Sequence, residues 1–292
     1  MRIFLTGATG FIGSAIVPEL LKAGHQVLGL ARSDANAQSL RAAGVAVHCG
    51  DLENLASLRA GVAEADAVIH TGFIHEFSRF EEVCEIDKRA IEALGSPLAG
   101  SARPLIVTSG TAIGTPAPGQ PASEDYANLQ HAHPRVASEV GAAELTARGV
   151  DVRVVRLPQV HDPLKQGLIT PLIDLAVKKG VSAFVGDGKN RWPAVHRLAC
   201  AELYRLALER GAAGARYNAV AEEGVPMKDI AEAIGRRVQV PVVAMSPESA
   251  AQHFGWLAMF AGFDMPASSA LTRQRLGWRP TGPGLIADLD HR

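Results

Sequence analysis

The apolar run Ile3-Phe4-Leu5 opens straight into Thr6-Gly7-Ala8-Thr9-Gly10-Phe11-Ile12-Gly13, and this junction limits what the chain can fold into more than any other stretch. Its three glycines have separable tasks. Gly7 permits a tight turn out of a strand, Gly10 lets main chain approach a diphosphate, and Gly13 lets the following helix pack close to the sheet. Residues 11–23 carry Ile12, Ala15, Ile16, Leu20 and Leu21 at helical spacing, so the glycines sit between a strand and a helix, which separates them from an ordinary turn. The helix amides then point at the strand end, where unpaired N–H groups and the helix dipole favour a pyrophosphate. Gly7, Thr9, Gly10, Phe11, Ile12 and Gly13 are therefore candidate dinucleotide contacts.

The alternation continues. Strands are expected at 26–31, 45–49, 67–70, 104–108 and 152–156, with helices at 37–43, 55–62, 80–94 and 135–148 between them. Strands that are apolar on both faces and separated by helices imply a parallel sheet covered on two sides, an α/β fold. Residues 110–134, rich in proline, glycine, serine and alanine, read as a long functional loop. Beyond Arg156 the pattern loosens into helices at 169–179, 198–210, 227–235 and 247–254 with short strands at 183–185 and 216–219. The expected division is a dinucleotide-binding unit over 1–157, to which 197–219 returns, and a smaller substrate lobe from 158–196 and 220–292.

Length and composition bound the class. With 292 residues, 47% of them hydrophobic, and a net charge of −1, the chain can bury a large core and carries no basic stripe for a nucleic acid. A strand that starts at residue 2 leaves no room for a signal peptide, and no apolar run reaches a membrane span, so a cytoplasmic protein is expected. Cys49, Cys84 and Cys200 are scattered, which suggests neither disulfides nor a metal site.

In a nucleotide-binding sheet an acid at the end of the second strand binds both ribose hydroxyls and selects NAD. Ala31 stands there instead, followed by Arg32 and Ser33. An arginine and a hydroxyl suit a 2′-phosphate, so NADP is the expected cofactor and NAD the second choice. Arg32 as a solvated loop charge is the alternative.

Thr-Gly-Ala-Thr-Gly-Phe-Ile-Gly at the N-terminus resembles the extended short-chain dehydrogenase/reductase superfamily, which includes epimerases, dehydratases and hydroxysteroid dehydrogenases. Leu276-Gly277-Trp278-Arg279-Pro280 is similar to the close of its extended members. The resemblance implies a Rossmann-type doubly wound parallel sheet with a smaller C-terminal α/β substrate lobe. It also implies that Asp51 and Leu52 form an adenine-contacting turn, though Asp51 serves equally as a helix cap. His70, Thr71, Gly72, Pro158 and Val160 are placed beside the nicotinamide, with Phe73, Thr111, Arg191 and Trp192 toward the substrate. Arg191 reads equally as a surface charge, and Trp192 as packing.

In such enzymes a Ser or Thr after the fifth strand and a Tyr-x-x-x-Lys helix form the catalytic set. Ser109 matches the first. No Tyr-x-x-x-Lys occurs in this sequence, and the register through Glu139 places His131 at the tyrosine position and Arg135 at the lysine position. Tyr126 lies in the right loop but five residues early, and would serve only if the loop folds back. His131 or His133 could move a proton, with Arg135 as a fixed charge. The resulting expectation is an NADP-dependent oxidoreductase acting on a small carbonyl or alcohol. An apolar or aromatic pocket around Trp192, Phe254, Trp256 and Phe260 would suit an apolar or aromatic substrate. Alternatives are an epimerase or dehydratase with retained cofactor, and an NADP-binding sensor without turnover. A homodimer through the helices at 80–94 and 135–148 is also implied.

Overall fold

The structure, a computed structural model, describes residues 1–291. The chain starts with Arg2–Thr6 (β1), Gly13–Lys22 (α1), Gln26–Ala31 (β2), Asp34–Ala42 (α2), Ala46–Cys49 (β3), Leu55–Ala63 (α3) and Ala67–His70 (β4). It continues through Phe80–Gly95 (α4), Leu105–Gly110 (β5), Val136–Ala147 (α5) and Val152–Leu157 (β6). The next stretch holds Gln159–His161 (β7), Ile169–Lys179 (α6), Ser182–Val185 (β8), Arg191–His196 (β9), Arg197–Arg210 (α7) and Arg216–Asn218 (β10). Glu222–Pro226 (β11), Met227–Val238 (α8), Val242–Met245 (β12), Pro247–Phe254 (α9), Ala258–Ala261 (α10), Ala270–Leu276 (α11) and Leu285–Asp290 (α12) complete it.

Seven parallel strands form the main sheet in the order β10-β6-β5-β4-β1-β2-β3. Side chains alternate faces along a strand, and β1 divides accordingly. Ile3 and Leu5 pack with Ile16, Leu20 and Tyr204 on one face, while Phe4 packs with Leu58, Val62 and Ile91 on the other. Both faces are dry, as the continuous apolar strands require. The segment after β9 returns to this sheet: α7 packs on α1, and Tyr217 of β10 pairs with Val155. Trp278 is fully buried in the same core, and its indole N–H donates to the Ala199 carbonyl at 3.1 Å.

The smaller lobe contains two short sheets, β11-β9-β7 and β12-β8. Its core includes Trp192, Met227, Ile230, Phe254, Leu285 and Leu289. Trp192 is 0% exposed, which corrects its expected contact with substrate and removes Phe254 from the expected pocket too. Both rings pack inside the core of this lobe. Val160 is likewise a core side chain, set in β7 opposite Val195 of β9. Among the described residues, no helix is long and apolar enough to cross a membrane.

Candidate functional site

The glycine-rich turn is fixed by close backbone approaches. Gly7 has φ +71°, and a Cβ there would lie 2.7 Å from the Gly72 nitrogen. A Cβ on Gly13 would come within 2.0 Å of the Gly7 carbonyl. The turn is therefore wedged between the exit of β4 and the start of α1, and no larger residue fits either position. Gly10 N–H donates to the Gly7 carbonyl at 2.8 Å, while the Phe11 and Ile12 amides have no acceptor among the described residues. Thr9 and Gly10 are exposed. Two cations stand over the Phe11 ring, Arg197 with its guanidinium carbon at 5.0 Å and Lys165 with its ammonium at 5.6 Å. Open amides and nearby cations suit the diphosphate of a dinucleotide.

At the far end of the sheet, Arg32 is exposed and Ser33 caps α2, its hydroxyl oxygen accepting from Asn36 N–H at 3.3 Å. Asp51 braces its turn, with Oδ1 accepting from the amides of Glu53 and Asn54 at 2.8 and 2.9 Å. Asn54 is the cap of α3. Leu52 packs against the core on the Phe4 face of the sheet.

A buried polar relay joins the ends of β1 and β4 to α4 and α5. Gly72 N–H donates to Thr6 Oγ1 at 3.1 Å, and that hydroxyl lies 2.7 Å from His70 Nδ1. Thr71 adds its own hydroxyl to the Thr6 carbonyl at 2.8 Å. His70 Nε2 is 3.1 Å from Asp87 Oδ1, which makes Nε2–H the donor and Nδ1 the acceptor of the Thr6 proton. Asp87 Oδ2 accepts from Arg135 Nη1 and Ser138 Oγ, both at 2.6 Å. Burial alone would raise the Asp87 carboxyl, but Arg135, His70 and Ser138 outweigh it and hold it at about 2.

This relay corrects two expectations. His70 is enclosed, with both ring nitrogens engaged by protein, so it braces the turn from behind and does not face the nicotinamide. Arg135 is not a free charge for a proton donor. Its guanidinium pairs with Asp87, donates to the Thr108 carbonyl at 3.1 Å and stacks on Phe73 at 4.1 Å. Asp87, Ser138 and Tyr204 gave no sequence signal; Tyr204 is buried in α7 with its hydroxyl 2.7 Å from Thr108 Oγ1.

Ser109 follows Thr108 at the end of β5. It is 2% exposed, and its hydroxyl has no hydrogen-bond partner among the described residues. An unmatched buried hydroxyl is costly, and a ligand atom would relieve it. Thr111 is buried in the short helical turn that follows.

Two residues on the lead-in to α5 have fixed tautomers. His131 Nδ1 accepts from His133 N–H at 3.0 Å, and His133 Nδ1 accepts from Arg135 N–H at 3.2 Å. Each ring is left with Nε2–H as its outward donor. Burial, with His131 and Arg135 nearby, lowers the His133 pKa.

Tyr126 is exposed and follows a segment strapped to α11, where Glu124 Oε1 accepts from Thr272 N–H and Oγ1. Arg191 is committed as well: Asp264 accepts from its Nε at 3.0 Å and its Nη2 at 2.7 Å, and Gly119 O accepts from Nη2 at 3.3 Å. Its expected role in binding an anionic substrate gives way to clamping the lobe against the long loop.

A parallel seven-stranded sheet with a glycine turn and an open helix N-terminus at its C-terminal edge defines a Rossmann-type α/β nucleotide-fold protein. The chain belongs to the NAD dependent epimerase/dehydratase family, whose model matches residues 3–220. An uncharacterized protein of Schizosaccharomyces pombe is 50% identical over 290 residues, covering 99% of this chain and 98% of the relative. One from Saccharomyces cerevisiae is 43% identical over 293 residues, at 99% and 98%. In the solved UDP-glucose 4-epimerase of Thermus thermophilus, in complex with NAD, the TM-score is 0.76 at 20% identity, covering 99% of this chain and 97% of that one. The dTDP-glucose 4,6-dehydratase DesIV of Streptomyces venezuelae, with NAD bound, gives 0.77 at 20% identity, covering 99% and 95%.

Proposed function

We propose that the protein is an NADP-dependent oxidoreductase acting on a small carbonyl or alcohol. The observation that carries this reading is Ser109, a buried hydroxyl without a partner at the strand end where a substrate oxygen would rest. When bound, the dinucleotide supplies hydride exchange with a carbon of the substrate. The chain's own residues do the rest. Gly7, Gly10 and Gly13 admit the diphosphate to the amides of Phe11 and Ile12, and Lys165 and Arg197 add charge above them. Arg32 and Ser33 receive the 2′-phosphate in the absence of a strand-end acid. Ser109 donates a hydrogen bond to the substrate oxygen and His131, through Nε2–H, a second one, while the proton that completes the alcohol comes from solvent. Pro158, half-buried between β6 and β7, lines the nicotinamide side with Thr71 and Gly72.

A sensor without turnover is the second reading, favoured by the engagement of Arg135 with Asp87. Incubating the protein with NADPH or NADP⁺ and a panel of small aldehydes, ketones and alcohols, while following nicotinamide absorbance, separates the two. Turnover supports the oxidoreductase; tight cofactor binding with every compound unchanged supports the sensor. Cofactor retained through gel filtration would instead favour an epimerase or dehydratase. Arg32→Ala is expected to weaken NADP about tenfold and NAD little; equal losses by calorimetry would remove the NADP assignment. We also propose a homodimer through α4 and α5, which light scattering tests.

A further inference from the structure

The parallel strands β7 and β9 end side by side, with His161 and His196 opposite each other in the register. Successive side chains alternate faces, and the two strand ends divide accordingly. His161 and His196 turn to Asp288 of α12, at 2.7 and 4.0 Å. The next residue on each chain, Asp162 and Arg197, forms an ion pair, with Asp162 Oδ2 3.4 Å from Arg197 Nε. Arg197 then stands over the Phe11 ring of the glycine turn.

Asp162 is 8% exposed, and its other oxygen shapes the loop that follows β7. Oδ1 accepts from the amides of Leu164 and Lys165, each at 2.9 Å, and Asp162 N–H donates to the Lys165 carbonyl at 2.9 Å. Gln166 closes the loop, its side-chain amide donating to the Asp162 carbonyl at 2.8 Å. Lys165 is thereby fixed at its backbone although its side chain is exposed, and its ammonium also stands over Phe11. Among the described residues, no hydrogen bond or ion pair engages that ammonium, and the enclosed Nε of Arg197 has no hydrogen-bond partner. Burial first, and Lys165 next, lower the pKa of His75, so the same ammonium bears on the loop leaving β4. One buried carboxylate thus bends the loop that carries one cation and pairs with the other. Both cations border a turn whose Phe11 and Ile12 amides are open.

We infer that Asp162 is a positioning residue for the cofactor diphosphate: it holds Lys165 and Arg197 where both charges meet the anion, without itself touching the cofactor. This role rests on the proposed seat of the diphosphate at the glycine turn. It goes beyond that seat by making an acid, whose own charge repels the ligand, a requirement for binding it. The opposition gives the test its sign. Were Asp162 only a counter-charge to Arg197, removing it would tighten the anion; as a positioning group, its removal weakens binding.

Calorimetry reads this apart from turnover. The probes are 2′-phospho-ADP-ribose, which carries the diphosphate and lacks nicotinamide, and adenosine 2′-monophosphate, which lacks the diphosphate; ADP-ribose replaces the first if NAD is preferred. Asp162→Ala should weaken 2′-phospho-ADP-ribose about tenfold and leave adenosine 2′-monophosphate unchanged. Asp162→Asn keeps an oxygen for the Leu164 and Lys165 amides and should stay within about threefold of the natural protein. Lys165→Met, at an exposed position, should cost about tenfold alone but less than about twofold beside Asp162→Ala, because a displaced ammonium has little left to lose. Unchanged or tighter binding in Asp162→Ala, an equal loss of adenosine 2′-monophosphate, or full additivity with Lys165→Met overturns the assignment. If Asp162→Ala shows no unfolding transition, unchanged affinity in Lys165→Met overturns it instead. Turnover with unaltered binding in Asp162→Ala defeats this role and leaves the proposed function standing. Binding that responds as expected, with no compound turned over, defeats the oxidoreductase and leaves the role of Asp162 intact. Absence of heat with every diphosphate probe overturns both.

Discussion

Two buried histidines each face a buried carboxylate, and the two carboxylates are supported differently. At the cofactor edge, His70 meets Asp87, which also holds Arg135 at 2.6 Å. In the smaller lobe, His161 Nδ1 meets Asp288 at 2.7 Å, with His196 at 4.0 Å beyond. Arg237 reaches the Asp288 carbonyl at 3.3 Å and not its carboxylate. Nε2 of His161 has no hydrogen-bond partner among the described residues. A fixed cation keeps Asp87 ionised whatever the state of its histidine. Asp288 has no such partner, so its environment follows the titration of a ring that burial pushes down, despite the opposing pull of Asp288.

The largest expected effect comes from removing the fixed cation. Arg135→Met leaves Asp87 buried and uncompensated, and should cost ~3–5 kcal/mol in urea unfolding. A loss below ~1 kcal/mol would show that Arg135 is not what supports Asp87, and the contrast would fail. Asp288→Asn keeps the shape and a weaker acceptor for His161, so it should cost only ~1–3 kcal/mol. If it matched Arg135→Met, the two pairs would be equivalent.

A pH series sharpens the same contrast. His161, His75, His133 and His253 all have pKa values lowered from 6.5, with burial the largest cause in each. The unfolded chain therefore takes up protons that the folded chain resists. Their contribution is complete above 6.5 and is lost as pH falls below it. Asp87, lowered from 3.8 to about 2, behaves as a carboxylate does: its contribution is complete above 3.8 and is lost only as pH falls toward 2. The melting temperature should thus fall between about pH 6.5 and pH 5, before Asp87 titrates. His161→Asn, whose amide can replace the Nδ1–H donor, should make that fall shallower; an unchanged slope would exclude His161 from it. The smallest effect is expected for Tyr204→Phe, which loses one hydroxyl contact to Thr108 and should cost ~1 kcal/mol by chemical unfolding.

Legibility in the sequence tracked distance along the chain. The strand, turn and helix at residues 2–22 could be read because each glycine acts on neighbours within a few residues. Helices at 169–179 and 247–254 match Ile169–Lys179 and Pro247–Phe254, since periodicity and capping are local signals. The strands Gln159–His161, Arg191–His196, Glu222–Pro226 and Val242–Met245 did not show. Arg191–His196 is interrupted by Pro193 and the other three are only three to five residues long, so none shows a clear alternation, and their pairing in the lobe supplies what the sequence pattern lacks. Ser109 was legible as the residue after an apolar strand, but its unpartnered hydroxyl was not. His131 and Arg135 could be aligned by counting from Glu139, yet counting could not show that Arg135 turns toward Asp87, forty-eight residues earlier in the chain.

The sequence alone determined a parallel α/β sheet, a glycine turn aimed at a diphosphate, and the lack of an acid at the end of β2. Tertiary structure decided which charges remain free. A guanidinium or imidazole has the same intrinsic chemistry wherever it is written, and its role depends on the carboxylate, carbonyl or ring that folding brings within about 3–4 Å. For Arg135, Arg191 and His70 those partners come from distant segments and commit the side chains to structure, whereas for Ser109 no partner arrives.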